Sequence, residues 1–327
     1  MIDGGLLETL TVLYQRAVQQ QDEARLILQR FADAGEPVAM MLFGGLLWPE
    51  EPERGTVYLE RAGPQCPDTN ELLIGATLLM RLSRRREPLQ ILLGPLADKA
   101  NGQAQELLGL LWNDENYGPP DFVRARTYLQ EAANRRREKA YTPLAFLCLG
   151  GLGGPRDEKA ARYWLRKAYY DNDDTEASCE LGNWAARLGD MRVARNHWHF
   201  AAQRGSVLAQ SRLGQFLLSG KPGRGTVRRG ERWLERAAGG GDIEAMTLIG
   251  RRYSRRASPQ RERAVAYLQL AATAGHAPAQ HALARLYASG RGVARDFQQA
   301  RHWFRRAVAA GHPISPGEQR RFENLKD

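Results

Sequence analysis

The histidines are the first residues of this sequence whose type could support metal binding. His197 and His199 flank Trp198, but residues two apart on a helix point to different sides, so they do not form a ligand pair. The remaining histidines have no carboxylate at ligand spacing and are His276, His281, His302 and His312. The sequence therefore predicts no metal site.

Cysteines and paired acids are the next candidates for chemistry. The three cysteines, Cys66, Cys148 and Cys179, cannot all pair, which argues against a disulfide scaffold. No His or Asp pattern accompanies Cys66 to suggest a nucleophile. Acid pairs such as 114–115 and 173–174 fall in predicted loops, where solvated carboxylates are the default. These patterns predict no catalytic residue, no enzyme and no cofactor.

Two glycine-rich stretches have a superficial likeness to phosphate-binding loops. Residues 150–155 read Gly-Gly-Leu-Gly-Gly-Pro, and residues 220–225 read Gly-Lys-Pro-Gly-Arg-Gly. No strand precedes either stretch, and Lys221 is misplaced for a P-loop. Both are interpreted as turns between helices.

Composition places the chain among proteins with a substantial core. It has 327 residues, of which 43% are hydrophobic and 26% charged, which excludes a wholly disordered chain. No apolar run approaches the roughly 18 residues of a membrane span. The first residues, 1–5, lack the basic and apolar regions of a signal peptide, so none is expected.

Charge is distributed unevenly along the chain. Residues 1–203 carry 24 basic and 28 acidic residues, whereas residues 204–327 carry 23 basic and 9 acidic residues, a net charge of +14. Such a segment attracts an acidic protein, a nucleic acid or phospholipid head groups. A solvated arginine-rich surface is the alternative, and composition alone leaves both open.

An internal repeat organises the chain. Residues 104–132 and 140–168 align at a separation of 36 without a gap, with Ala, Leu, Asp and an aromatic residue in matching places. Similar copies follow at spacings between 31 and 37. The small residues that open them are Ala39, Asn70, Ala104, Ala140, Ala177, Ala209, Ala245 and Ala279.

Each copy predicts a pair of antiparallel helices. Ala279, Leu283 and Tyr287 fall on one helix face, and the small residue after Leu lets a second helix approach closely. Asp157 and Asp296 precede second helices, where an acid favours the helix N-terminus. Glycines stand where helix C-termini need left-handed backbone, at Gly205, Gly241, Gly275 and Gly311. One pair cannot bury its apolar face alone, so the pairs must stack into an all-α fold.

This pattern resembles the Sel-one-like repeat (SLR) family, which is related to the tetratricopeptide repeat. The resemblance implies an α/α superhelical solenoid over 1–327, with about nine helix pairs. The repeats are degenerate in 1–100 and well matched in 104–312, and a capping helix is predicted in 313–327. The resemblance also implies a non-enzymatic bacterial protein-protein interaction scaffold: an immunity protein that neutralises a secreted toxic effector, or an envelope or virulence regulator. The bacterial cytoplasm and the periplasm both stay open as compartments, and the oligomeric state is not determined.

By the same resemblance, fixed positions after each small residue face a concave groove that binds the partner. The basic candidates are Arg187, Arg251, Arg255 and Arg285, and the apolar ones include Leu79 and Phe146. Such a groove suits a protein with an acidic surface or segment, since arginine forms bidentate bonds to carboxylates. The segment 72–82 is apolar nearly all round, and burial on two sides is the favoured interpretation.

A nucleic-acid or anionic-lipid binding module that uses the basic C-terminal half is the alternative function. Arginine clusters occur at 84–86, 135–137 and 255–256. Consecutive arginines fan around a helix, and no aromatic stacking platform lies among them. The aromatic residues of the repeat are predicted to be core residues, namely Tyr128, Trp164, Trp233 and Trp303. Direct nucleic-acid binding is therefore the less favoured hypothesis.

Overall fold

The computed structural model describes residues 4–66, 69–219, 224–255 and 260–325, and the regular structure within these ranges is entirely helical. The predicted all-α helical repeat class is confirmed. The chain divides into two compact units, residues 1–174 and 175–327. That both units belong to one continuous superhelix stays a prediction.

The described residues of the first unit form ten helices, which pack mainly against their neighbours in chain order. They are α1 (Gly4–Val18), α2 (Asp22–Asp33), α3 (Pro37–Leu47), α4 (Pro52–Gln65), α5 (Thr69–Ser83), α6 (Arg86–Asp98), α7 (Gly102–Asn113), α8 (Phe122–Asn134), α9 (Tyr141–Gly150) and α10 (Glu158–Asn172). Two short 3₁₀ turns, Glu115–Tyr117 and Glu138–Ala140, lie in its connections. The glycine-rich stretch 150–155 is a turn between α9 and α10, as predicted, with Gly151 and Gly153 at positive φ.

The second unit repeats the same arrangement and ends in a short extra helix. Its helices are α11 (Thr175–Arg187), α12 (Met191–Gln203), α13 (Val207–Ser219), α14 (Arg224–Gly239), α15 (Ile243–Tyr253), α16 (Gln260–Thr273), α17 (Ala277–Ser289), α18 (Phe297–Ala309) and α19 (Pro316–Glu323). Residues 220–223 of the turn predicted at 220–225 lie outside the described residues. Arg256 of the predicted basic cluster also lies outside them.

Side-chain caps begin several of the second helices. The Asp157 carboxylate accepts hydrogen bonds from the backbone N–H groups of Lys159 and Ala160, and Asp296 accepts one from Gln299 at 2.8 Å. Both acids stand where the repeat pattern predicted them. They satisfy backbone donors that a helix N-terminus otherwise leaves unpaired.

The small residue after each core leucine sets how closely the paired helices approach. A Cβ atom on Gly250 of α15 would lie 2.7 Å from Cγ of Leu268 on α16. The same relation joins Gly214 to Leu234, where the distance would be 2.8 Å. The predicted close approach is therefore confirmed, and it is made against a core side chain of the second helix.

A row of polar contacts joins consecutive repeats, which the repeat pattern did not predict. One partner in each contact is the residue two positions after the alanine that opens a repeat. The other partner is the residue three positions before the alanine that opens the following repeat. Within the first unit, Arg137 Nε donates to Glu106 Oε2 at 3.0 Å, and Thr142 Oγ1 donates to Asp174 Oδ2 at 3.0 Å. Within the second, Ser211 Oγ donates to Asp242 Oδ1 at 3.3 Å, and Thr247 Oγ1 lies 2.8 Å from His276 Nδ1. These contacts tie each first helix to the N-terminus of the next first helix.

Asp242 has two roles, because it caps α15 through the Ala245 N–H and also accepts from Ser211. We expect Asp242→Ala to lower the free energy of unfolding by about 2 kcal/mol, one part for the cap and one for the inter-repeat bond. Asp296→Ala removes a cap alone and is expected to cost about 1 kcal/mol. Urea denaturation followed by circular dichroism measures both. Equal losses in the two variants would show that the Ser211 contact contributes nothing.

Candidate functional site

A basic cleft runs along the second unit between α13, α15, α17 and α19. It consists of two adjoining cavities of about 660 and 730 Å³ that share Arg251 and Arg255. The first cavity has an apolar floor that includes Leu218, Leu234 and Leu248, and the charged residues Glu244 and Arg252 also line it. The second is bounded by α17 and α19. The arginines that line it are Arg251, Arg255, Arg285, Arg291, Arg295 and Arg321.

The repeat places these arginines at one side of the unit. Arg251 directly follows Gly250, whose backbone packs on α16, so the Arg251 side chain turns away from the helix pair and is exposed. Arg285 stands at the equivalent place after Ala284 on α17 and is also exposed. Arg255 follows the end of α15. Three of the four predicted arginines therefore line a common cleft.

Ion pairing separates the cleft arginines from their neighbours. Arg252 pairs with the buried Glu231, and Arg263 pairs with Glu235. Among the described residues, the cleft arginines Arg251, Arg255 and Arg285 have no carboxylate within ion-pair distance. These three guanidinium groups therefore have no ion-pair partner in the part of the chain that the structure describes.

Arg187, the fourth predicted arginine, stands apart from this cleft. It ends α11, is exposed, and its guanidinium lies 5.4 Å from the centre of the Trp184 ring. It lines neither of the two cavities. Its role in binding a partner stays a prediction.

The apolar candidates of the first unit differ from each other. Phe146 on α9 is partly exposed and available for contact. Leu79 on α5 is fully buried, and its side chain fills the space that a Cβ on Gly45 would occupy. The prediction that Leu79 faces a partner is wrong, because α5 is covered on the side that this leucine occupies. The favoured interpretation of the apolar segment is confirmed for Leu72, Leu73, Ala76 and Leu79.

The aromatic residues of the repeat also fall into two groups. Trp164 and Trp303 are buried as predicted, each 7% exposed. Tyr128 and Trp233 are partly exposed and line surface cavities. Their assignment to the core is wrong in that neither residue is buried, although Trp233 packs against a buried cluster formed by α11, α12 and α13.

Three arginines that line the larger cavity of the cleft were not predicted from the sequence. Arg291 and Arg295 belong to the turn after α17, and Arg321 lies on α19. The available signal was the density of arginine after residue 284. It could not show that a turn and a short final helix face the same cavity.

The buried thiols lack the properties of nucleophiles. Burial raises the pKa of Cys148, and it raises the pKa of Cys179 to about 11. Both thiols therefore stay protonated at neutral pH. Within the described ranges, no group of three or more His, Cys, Asp or Glu residues is arranged to hold a metal ion, and no helix is long and apolar enough to cross a membrane.

Comparison with known families agrees with the helix-pair architecture. The Sel1 repeat model matches five segments, residues 102–136, 139–173, 207–242, 243–276 and 277–312, which together make up more than half of the chain. The chain belongs to the Sel1 repeat family. Sel1 repeat proteins are protein-interaction scaffolds and are generally not enzymes. The matched segments include α13 to α18, from which most of the basic cleft is built.

One solved structure shows the same fold, and two further structures are less similar to this chain. A Sel1 repeat protein from Oxalobacter formigenes has a TM-score of 0.65 at 23% identity, over 97% of this chain and 94% of the other. A protective antigen with an SLR fold from uropathogenic Escherichia coli has a TM-score of 0.38 at 21% identity, over 88% and 80%. An immunity protein from Pseudomonas aeruginosa has a TM-score of 0.41 at 18% identity, over 68% and 88%. No curated protein matches the sequence.

Proposed function

We propose that this Sel1 repeat protein is a non-enzymatic scaffold that binds a protein partner through an acidic segment in the basic cleft. The observation that carries the proposal is the group of cleft arginines Arg251, Arg255 and Arg285, which have no ion pair with any described carboxylate. Guanidinium groups of this kind form paired hydrogen bonds with carboxylates. An acidic segment of a partner supplies carboxylates at the spacing of an extended or helical peptide.

The apolar floor of the first cavity suits a side chain that accompanies the acids. Leu218 and Leu248 flank Arg251 and Arg255 there, so one apolar anchor beside two carboxylates would fill the cavity. Buried apolar contact contributes affinity, while the ion pairs select the partner. Phe146 and Arg187 are further proposed contacts on surfaces outside the basic cleft.

Charge reversal in the cleft tests the proposal. We expect Arg251→Glu combined with Arg255→Glu to weaken partner binding by at least about 50-fold, because two charge-assisted hydrogen-bond sites become repulsive. The partner is first isolated from the native organism by pull-down and mass spectrometry. Its dissociation constant is then measured by calorimetry.

A matched control is available on α14. Arg228 and Arg232 are exposed, four residues apart like the cleft pair, and line neither cavity. Reversing both to Glu changes the net charge equally and is expected to alter affinity by less than about threefold. If both double variants lost the same affinity, the effect would come from net charge alone, and the cleft would be refuted as the binding site.

The immunity role is the specific form of this proposal, in which the partner is a secreted toxic effector. Its test is genetic and functional. Expression of an adjacent toxin gene should arrest growth, and this protein should restore it. The double charge reversal in the cleft should lose that protection, while the α14 control should keep it. Protection by the cleft variant would separate the immunity role from the cleft.

Trp233 favours a second candidate function, nucleic-acid binding. Its partly exposed ring lines a cavity of about 580 Å³ together with Arg195, His199 and Arg229. Aromatic rings beside arginines can stack unpaired bases. A labelled single-stranded oligonucleotide, titrated at several salt concentrations, tests this. Affinity that falls steeply with salt and is lost in Trp233→Leu supports the function, and no binding at low salt excludes it.

A further inference from the structure

Three titratable side chains are connected in the wall of the basic cleft. His281 lies on α17, His312 follows α18, and Glu318 lies on α19. His312 Nε2 is 3.2 Å from His281 Nδ1, and His281 Nε2 is 2.9 Å from Glu318 Oε1. All three residues line the larger cavity of the cleft, beside Arg251 and Arg285.

The hydrogen bonds determine where each proton lies. An ionised carboxylate only accepts, so His281 Nε2 carries the hydrogen and donates it to Glu318. When the His281 ring is neutral, its Nδ1 is then an acceptor, and His312 Nε2 is the donor. The other ring nitrogen of His312 is left with a lone pair. A proton added at that nitrogen leaves both hydrogen bonds of the row intact.

Positive charge surrounds this row on every packed element. The groups are Arg251 and Arg255 from α15 and its end, His276 at the N-cap of α17, Arg285 on α17, Arg291 and Arg295 in the following turn, and Arg321 on α19, with Glu318 as the carboxylate. Burial lowers the pKa of His312, and so do His281, once it is protonated, and the charge of Arg251. The free protein therefore holds His312 neutral at pH 7.

An anionic ligand reverses this balance. Carboxylates that pair with Arg251 and Arg285 place negative charge in the cavity that His312 lines, which favours the protonated imidazole. We propose that binding of an acidic partner segment in the basic cleft is coupled to uptake of one proton by His312. This inference rests on the proposed function and adds a regulation by pH: the partner is held more tightly in mildly acidic conditions.

The direction of the pH effect follows from linkage. The bound state holds more protons than the free state between the two pKa values of His312, so affinity rises as the pH falls through that range. For the free protein the sign is opposite. A histidine with a lowered pKa binds fewer protons when folded than when unfolded, so the stability that it contributes is lost as the pH falls below about 6.5.

The experiment uses a synthetic peptide of eight aspartates, whose carboxylates are ionised above pH 6. Isothermal titration calorimetry at pH 6.5 and pH 8, in two buffers of different ionisation enthalpy, counts the protons taken up. We expect uptake of about half a proton or more at pH 6.5, little at pH 8, and affinity about two- to tenfold tighter at pH 6.5. His312→Gln keeps an N–H donor for His281 but has no titrating group, so uptake should vanish.

His302→Gln is the matched control. His302 is exposed on α18 and does not line the cleft, so this variant should behave as the unchanged protein. An NMR titration of the His312 ring, with and without the peptide, gives the same answer in the unsubstituted chain. Its midpoint should rise on binding.

The possible failures are distinguishable. Peptide binding that is salt-dependent but takes up no proton, or uptake that persists in His312→Gln, overturns the coupling and leaves the proposed cleft standing. Absence of peptide binding at low salt at both pH values overturns the cleft and, with it, the coupling.

Discussion

Replacing Leu268 with Ala is expected to lower the free energy of unfolding by about 3–4 kcal/mol. Leu268 is fully buried on α16 and packs in a cluster with Ala279, Leu283 and Trp303. The substitution removes its side chain from a place where helices of two repeats meet, and the backbone on both sides resists collapse. Urea denaturation followed by circular dichroism measures the loss. Leu270→Ala on the same helix, where the side chain is 57% exposed, should cost less than about 0.5 kcal/mol.

Gly250 provides a second test of this packing, because Leu268 occupies the space that a Cβ atom on residue 250 would need. Gly250→Ala gains up to about 1 kcal/mol of helix propensity but places a methyl group 2.7 Å from Leu268 Cγ, so we expect a net loss of about 1–2 kcal/mol. In the double variant, which carries Gly250→Ala and Leu268→Ala, the new methyl group partly fills the cavity left by the Leu268 side chain. The double loss should therefore be at least about 1 kcal/mol smaller than the two single losses added. Additive losses would contradict direct packing between these two positions.

Arg251 and Arg252 are expected to behave in opposite ways although they are adjacent. Arg252 pairs with Glu231, which is 5% exposed, so Arg252→Met leaves a buried carboxylate without its guanidinium partner. We expect a loss of about 2–3 kcal/mol, below the full cost of an isolated buried charge because Arg252 itself is partly exposed. Arg251→Met removes no ion pair, and the free energy of unfolding should change by less than about 0.5 kcal/mol.

Binding should show the reverse order. Arg251→Met is expected to weaken the partner complex by about tenfold, because one charge-assisted contact is lost. Arg252 also lines the first cavity, but its guanidinium pairs with Glu231, so Arg252→Met should weaken the complex less than Arg251→Met does. Calorimetric binding and urea denaturation of the same two variants provide the comparison. If Arg252→Met lost as much affinity as Arg251→Met, the two residues would not have separate roles in partner binding and in stability.

The architecture could be predicted because it is local and repeated. Ala279, Leu283 and Tyr287 show their common face within a single helix, and recurrence at spacings of 31 to 37 multiplies the signal. Caps such as Asp157 and left-handed glycines such as Gly275 depend on neighbouring backbone alone, so their roles were visible in the sequence. Gly250 contacts another helix, and its role was visible because a small residue recurs at the same place in successive copies.

Burial on the second face of a helix could not be predicted in this way. Leu79 and Phe146 come from comparable positions, yet α5 is covered where Leu79 lies and α9 leaves Phe146 partly open. The period of a helix shows which residues share a face, but it does not show how many neighbours cover that face. Trp233 illustrates the converse, since its ring lies in the packing position and still reaches a surface cavity.

The sequence by itself determined the helix pairs, their order and the excess of positive charge after residue 203. Only the tertiary structure decided which of those charges act together. Arg252 is neutralised by Glu231 on another helix, whereas Arg251 joins Arg285 and Arg321 around one cavity with the His281–His312 pair. The physical reason is that a charge pattern in the chain carries no information about these contacts. The Arg252–Glu231 pair and the cleft join residues that are about 20 to 70 positions apart and meet only when the repeats stack.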